Sequence, residues 1–86
     1  MIKIEKPSNE RLEEIKTWDI WKKEPSEFSH YYEENECFYF LQGQADIADK
    51  HGNITHVNKG DLVTIDKGED TVWTVRETVR KHFLFF

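Results

Sequence analysis

The residues best suited to chemistry lie in one stretch, His30-Tyr31-Tyr32-Glu33-Glu34-Asn35-Glu36. An imidazole with an ordinary pKa of about 6.5 can carry a proton at neutral pH or bind a metal. A carboxylate can act as a base or as a ligand. Glu36 opens the run Cys37-Phe38-Tyr39-Phe40-Leu41, which is otherwise apolar. A carboxylate buried there without a partner would be costly. The bland alternative is a solvated strand-start glutamate like Glu33 and Glu34. For His30 it is a strand-end histidine with no task. Residues two apart on a strand face the same side, so His30 and Tyr32 point together.

Other chemistry-bearing patterns are missing. The sequence has no glycine-rich phosphate loop, no serine nucleophile elbow and no Cys-x-x-Cys pair. The acidic cluster at 33–36 lacks calcium-loop spacing. Cys37 is the one cysteine, so no internal disulfide forms. It should face away from Glu36 as a buried, inert thiol.

The elements that must hold these residues are mostly strands. Ile2 and Ile4 alternate with charges, as in a short edge strand. Ser8 is a suitable N-cap, with Glu10 in the first turn, so one short helix is expected near residues 9 to 16. From Trp18 onward, short aromatic and branched segments predict strands at 19–22, 27–33, 36–41, 44–49, 54–57, 62–65, 72–75 and 80–85. Turns are expected at Gln42-Gly43, Lys50 to Asn53, Asn58 to Gly60 and Asp66 to Gly68, each containing a glycine. Many short strands with a single helix predict a closed barrel or a sandwich, and closure would remove exposed sheet edges.

The bulk numbers narrow the function classes. Eighty-six residues make one domain with a modest core. Acidic residues outnumber basic ones by 17 to 12, a net charge of -5 with no basic block. That disfavours a nucleic-acid partner. No apolar run approaches the roughly 20 residues of a membrane span. The first residues lack the apolar stretch of a secretory signal, and with the lone cysteine a cytoplasmic protein is the simplest expectation.

The order of these features resembles the cupin superfamily. Its first motif places His-x-His ahead of a glutamate and a glycine, and its second runs from Gly through Pro-x-Gly to His. His30, Glu36 and Gly43 stand at matching positions of the first motif, and Gly60 and Gly68 at those of the second. The match is most like small single-domain cupins related to ureidoglycine aminohydrolase and to the ethanolamine-utilisation cupin. Trp18-Asp19-Ile20-Trp21, Phe28 with Tyr32, Gly60 to Val63, Trp73 to Val75 and Arg80-Lys81-His82 carry that likeness.

The resemblance implies an all-β, jelly-roll-like barrel over residues 1–86, with one short N-terminal helix. It turns His30 and Glu36 inward as candidate catalytic groups and as the remaining metal-ligand positions. The motif's other ligand positions hold Tyr32 and Thr71, and Asp66 replaces its proline. Two strong ligands hold a divalent metal weakly, so the expectation is no cofactor, or weakly bound Mn, Zn or Fe. A Tyr32 phenol would have to lose its proton to help, and His82 is a further candidate ligand.

Tyr32, Thr71 and Trp73 are expected to line the barrel mouth. Trp21 would close one end, or else pack on the helix. Lys81 is either an edge charge or turns inward and attracts an anion. A small polar or carbohydrate-like metabolite is the expected ligand. An aminohydrolase-like metal enzyme and a non-catalytic structural or sensing module are the other two readings. Cupins commonly pair through their sheets, so the resemblance also implies a homodimer.

Overall fold

The computed structural model describes every residue from Met1 to Phe86. The chain runs β1 (Ile2–Glu5), α1 (Asn9–Ile15), β2 (Asp19–Lys23), β3 (Ser26–Tyr31), β4 (Glu36–Ala48), β5 (Ile54–Asn58), β6 (Leu62–Ile65) and β7 (Asp70–Phe85). The all-β class with one short helix is therefore as expected. No helix is long and apolar enough to cross a membrane.

The helix begins where its cap predicts. The Ser8 hydroxyl accepts the Arg11 backbone N–H at 3.1 Å, filling one of the donors left open at a helix start. Ile15 is the one buried helix residue. It meets Cys37 and Leu62 on the outside of the sheet, with Leu12, Trp18 and Tyr39 around them.

Two expected interruptions are absent, because β4 and β7 are long. The chain does not turn at Gln42-Gly43. It continues along β4 through a run of register shifts against β7. Gly43 has φ 95°, and a Cβ there would collide with the Thr78 carbonyl oxygen. The glycine marks a bulge where two backbones approach, a role that resembles a turn when only sequence is read. Likewise 72–75 and 80–85 are one strand. Val75 and Val79 are buried while Arg76 and Glu77 between them are exposed, so a polar patch on the solvent side mimics a break. Strand β3 stops at Tyr31, short of Glu33.

The long strands organise the sheet. They pair with each other antiparallel from Glu36↔Phe85 to Ala48↔Val72. Strand β4 also takes β6 along its first half and β5 along its second. Strand β7 takes β3 along its first half and β2 along its second. Strand β1 adds to β6, giving the path β1-β6-β4-β7-β2. No ladder joins β1 to β2, so the expected hydrogen-bonded closure does not occur. Both end strands are short and rich in charge, and these features blunt an open edge. The sheet curls around one apolar interior built from Tyr32, Phe38, Phe40, Ile47, Val63, Ile65, Trp73 and their neighbours.

Candidate binding pocket

At one end of that interior the strands enclose a cavity of about 190 Å³. Register decides what faces it. On β7, Lys81, Phe83 and Phe85 are two apart and share the inner face, and all three line the cavity. Lys81 stands between Trp21 of β2 and Phe40 of β4 in the ladders. Of the two side chains proposed to enter, Lys81 does so and His82 does not. The His82 ring lies on the outer face, its Nδ1 3.0 Å from the Trp18 carbonyl oxygen.

Lys81 reaches along the inner face to Glu36, where its ammonium donates to Oε2 at 2.9 Å. The two side chains are 6% and 5% exposed. Three rings surround the ammonium, with Phe38, Trp21 and Trp73 centroids at 4.1, 4.7 and 4.9 Å. Their electron-rich faces attract the cation. Burial pushes the Lys81 pKa below its ordinary value, and the Glu36 carboxylate offsets part of that shift. Inside the cavity the Lys81 charge is matched by that of Glu36.

Tyr32 and His30 do point together. Their rings meet edge to face with centroids 4.4 Å apart. Tyr32 is buried, and its hydroxyl accepts the Trp73 indole N–H at 3.2 Å. Burial, with the Glu36 charge adding to it, drives the phenol pKa well above its ordinary value. His30 is exposed and sits at the mouth. His30 and Glu36 line the same cavity, but they do not come from paired strands. Strand β3 is bonded to β7, and β4 lies beyond it.

Trp21 is half-buried and forms a wall rather than a helix contact. It meets Trp73 and Phe28 edge-on at 6.0 and 6.2 Å. Trp73 stacks on Phe28 at 5.8 Å. Thr71 does not line the cavity. Its hydroxyl donates to the His30 carbonyl at 2.8 Å and ties β3 to β7. Phe83 and Phe85 were not singled out from sequence. Their period-two spacing from Lys81 was the available signal.

A divalent metal does not fit this donor set. Nowhere do three His, Cys, Asp or Glu side chains gather. The Glu36 carboxylate holds an ammonium, which repels a second cation. The Tyr32 phenol keeps its proton, Thr71 is engaged elsewhere, and His82 is on the other face. His30 alone remains, short of the three protein ligands usual in catalytic sites.

Comparisons with known proteins agree with the architecture. Residues 10–83 match the family model described as the EutQ-like cupin domain. A DUF861 family protein of Thermotoga maritima has 45% sequence identity and a TM-score of 0.96, with 100% of each chain covered. The EutQ protein of Clostridium difficile superposes with a TM-score of 0.72 at 21% identity, over 78% of this chain and 52% of that one. A putative ethanolamine utilization protein Q of Salmonella typhimurium gives 0.71 at 18% identity, over 78% and 54%. This chain thus spans about half the length of either of those two proteins. No curated protein matches the sequence.

Proposed function

This chain belongs to the EutQ-like cupin domain family, and we propose that it binds a small polar metabolite in a metal-poor pocket. The observation that carries this reading is the Glu36–Lys81 pair beneath an open aromatic mouth. Charged side chains are rarely so buried in a small domain without a task.

The pocket's shape fits a ligand with one polar end. Trp21, Phe28, Phe83 and Phe85 offer apolar walls for a sugar-like or aliphatic body. Glu36 and the Tyr32 hydroxyl offer polar contacts at the deeper side, and His30 offers one at the mouth. The cavity is smaller than the roughly 300 Å³ at which drug-sized pockets begin, so the ligand has few heavy atoms. If turnover occurs, Glu36 or His30 is placed to move a proton. A cytoplasmic homodimer accompanies this reading. The lone buried cysteine supports the compartment, and sedimentation of the purified protein tests the pairing.

A screen of small sugars, alcohols, aldehydes and amines against the native protein tests the pocket, read by Trp21 and Trp73 fluorescence and by thermal shift. Saturable binding that Trp21→Ala abolishes is the expected result. No response to any compound would favour a non-catalytic module with a vestigial pocket. Stoichiometric metal that disappears in Glu36→Gln would instead favour the metal-enzyme reading.

A further inference from the structure

Lys81 is a primary amine at the floor of an open cavity, among aromatic rings, with a carboxylate in hydrogen-bond contact. Its sequence position does not require this. The neighbouring basic residue Arg80 is exposed, as a strand-surface cation ordinarily is. A lysine enclosed by apolar walls is also the form in which this side chain becomes a nucleophile, because desolvation disfavours the ammonium. The remaining requirement is a base within reach. Glu36 Oε2 at 2.9 Å meets it without any movement of the backbone.

We propose that Lys81 condenses with a small carbonyl compound in this cavity to form an imine. The inference rests on the pocket reading above and names the chemistry of its ligand.

The step balances without a further reactant. Glu36 takes one proton from the Lys81 ammonium. The nitrogen lone pair forms a bond to the carbonyl carbon, and the carbonyl π pair goes to oxygen, which takes the proton back from Glu36. The resulting carbinolamine loses its hydroxyl as water, with Glu36 relaying a nitrogen proton to that oxygen. The nitrogen pair closes the C=N bond. An ammonium and a carbonyl thus become a protonated imine and one water, with no change of oxidation state. The positive charge stays on nitrogen, where Glu36 and the three rings still face it.

The same geometry selects among carbonyl compounds. Lys81 is the one Lys or Arg side chain lining the cavity. Once its nitrogen is bonded to the substrate, no fixed cation is left for a carboxylate or phosphate, and Glu36 repels one. The fitting class is therefore a short, uncharged aldehyde or hydroxyaldehyde, not a keto acid.

Reductive trapping tests the proposal. The native protein is incubated with glycolaldehyde and cyanoborohydride, and with pyruvate in parallel, and labelled lysines are mapped by peptide mass spectrometry. Glycolaldehyde is expected to label Lys81 at least tenfold faster than the exposed Lys22 and Lys50, adding its mass less one oxygen. Pyruvate is expected to give no such preference. Lys81→Arg, which keeps the cation, should remove the fast site while the protein stays folded by circular dichroism. Labelling of Lys81 no faster than that of the exposed lysines overturns the imine. If Trp21 and Trp73 fluorescence still responds saturably to glycolaldehyde or to another screened compound, binding survives and only the covalent step fails. If nothing in the screen perturbs that fluorescence, both readings fail together.

Discussion

Glu36 and Lys81 are 45 residues apart in sequence, yet they share one hydrogen bond at 2.9 Å inside the curled sheet. Each is the other's main compensation for leaving water. Removing one partner leaves an uncompensated buried charge, whereas removing both leaves none. Glu36→Gln and Lys81→Met should each destabilise the protein by about 3–5 kcal/mol. The double variant should recover most of that loss. Urea denaturation of the four proteins checks it, and strict additivity of the single losses would contradict a coupled pair.

Tyr32→Phe should cost about 1–3 kcal/mol despite its small change in volume. The hydroxyl is the acceptor for the Trp73 indole N–H. Without it that donor is buried and unpaired. The variant should also alter Trp73 emission, so a fluorescence-monitored melt reads both effects. An unchanged melting temperature would indicate that water takes the hydroxyl's place.

Gly43→Ala should destabilise far more than Gly52→Ala. Both glycines have positive φ, but a Cβ at 43 meets the Thr78 backbone and one at 52 meets nothing. The backbone conformation alone costs about 1 kcal/mol. The clash at 43 adds to that and should raise the total above about 2 kcal/mol. Equal losses at the two sites would show that the β4 bulge can relax.

Acid stability should depend on Asp46. Its carboxylate bonds the His56 ring at 2.5 Å and Arg76 at 2.7 Å. Those partners, His56 first, hold its pKa below the ordinary carboxylate value. A depressed carboxylate contributes stability that is complete above its unfolded pKa of about 4 and is lost as pH falls through the lower folded value. Asp46→Asn should therefore flatten the stability curve below about pH 4. A variant curve parallel to wild type there would rule the contribution out.

Much of the architecture was legible in the sequence because it follows from local chemistry. The Ser8 cap fixed the helix start, the Ile2/Ile4 alternation identified the edge strand, and Leu62 to Ile65 was read to the residue. The failures share a cause. Gly43 serves a long-range approach of Thr78, and the polar run Arg76-Glu77-Thr78 is a solvent face within a long strand. Neither can be told from a turn without the partner strand. In the pocket, residue type and motif position led to Glu36, His30, Tyr32, Trp73 and Trp21. They could not say which of Lys81 and His82 faces inward, because that depends on the register of β7 against β2. Nor could they show that Thr71 is engaged by the His30 backbone.

The two long strands have a kinetic consequence. Every strand that lines the cavity is β4, β7 or a strand bonded to β7, and β7 follows all the others in sequence. Little of the sheet can be completed from sequence neighbours alone, so loop entropy must be spent before most pairings form, which slows folding. During synthesis on a ribosome, Trp21, Phe28 and Glu36 would emerge well before the strand that covers them. The binding chamber can then form only after β7 has followed them out. Until that moment its aromatic walls are exposed to whatever else the cell holds.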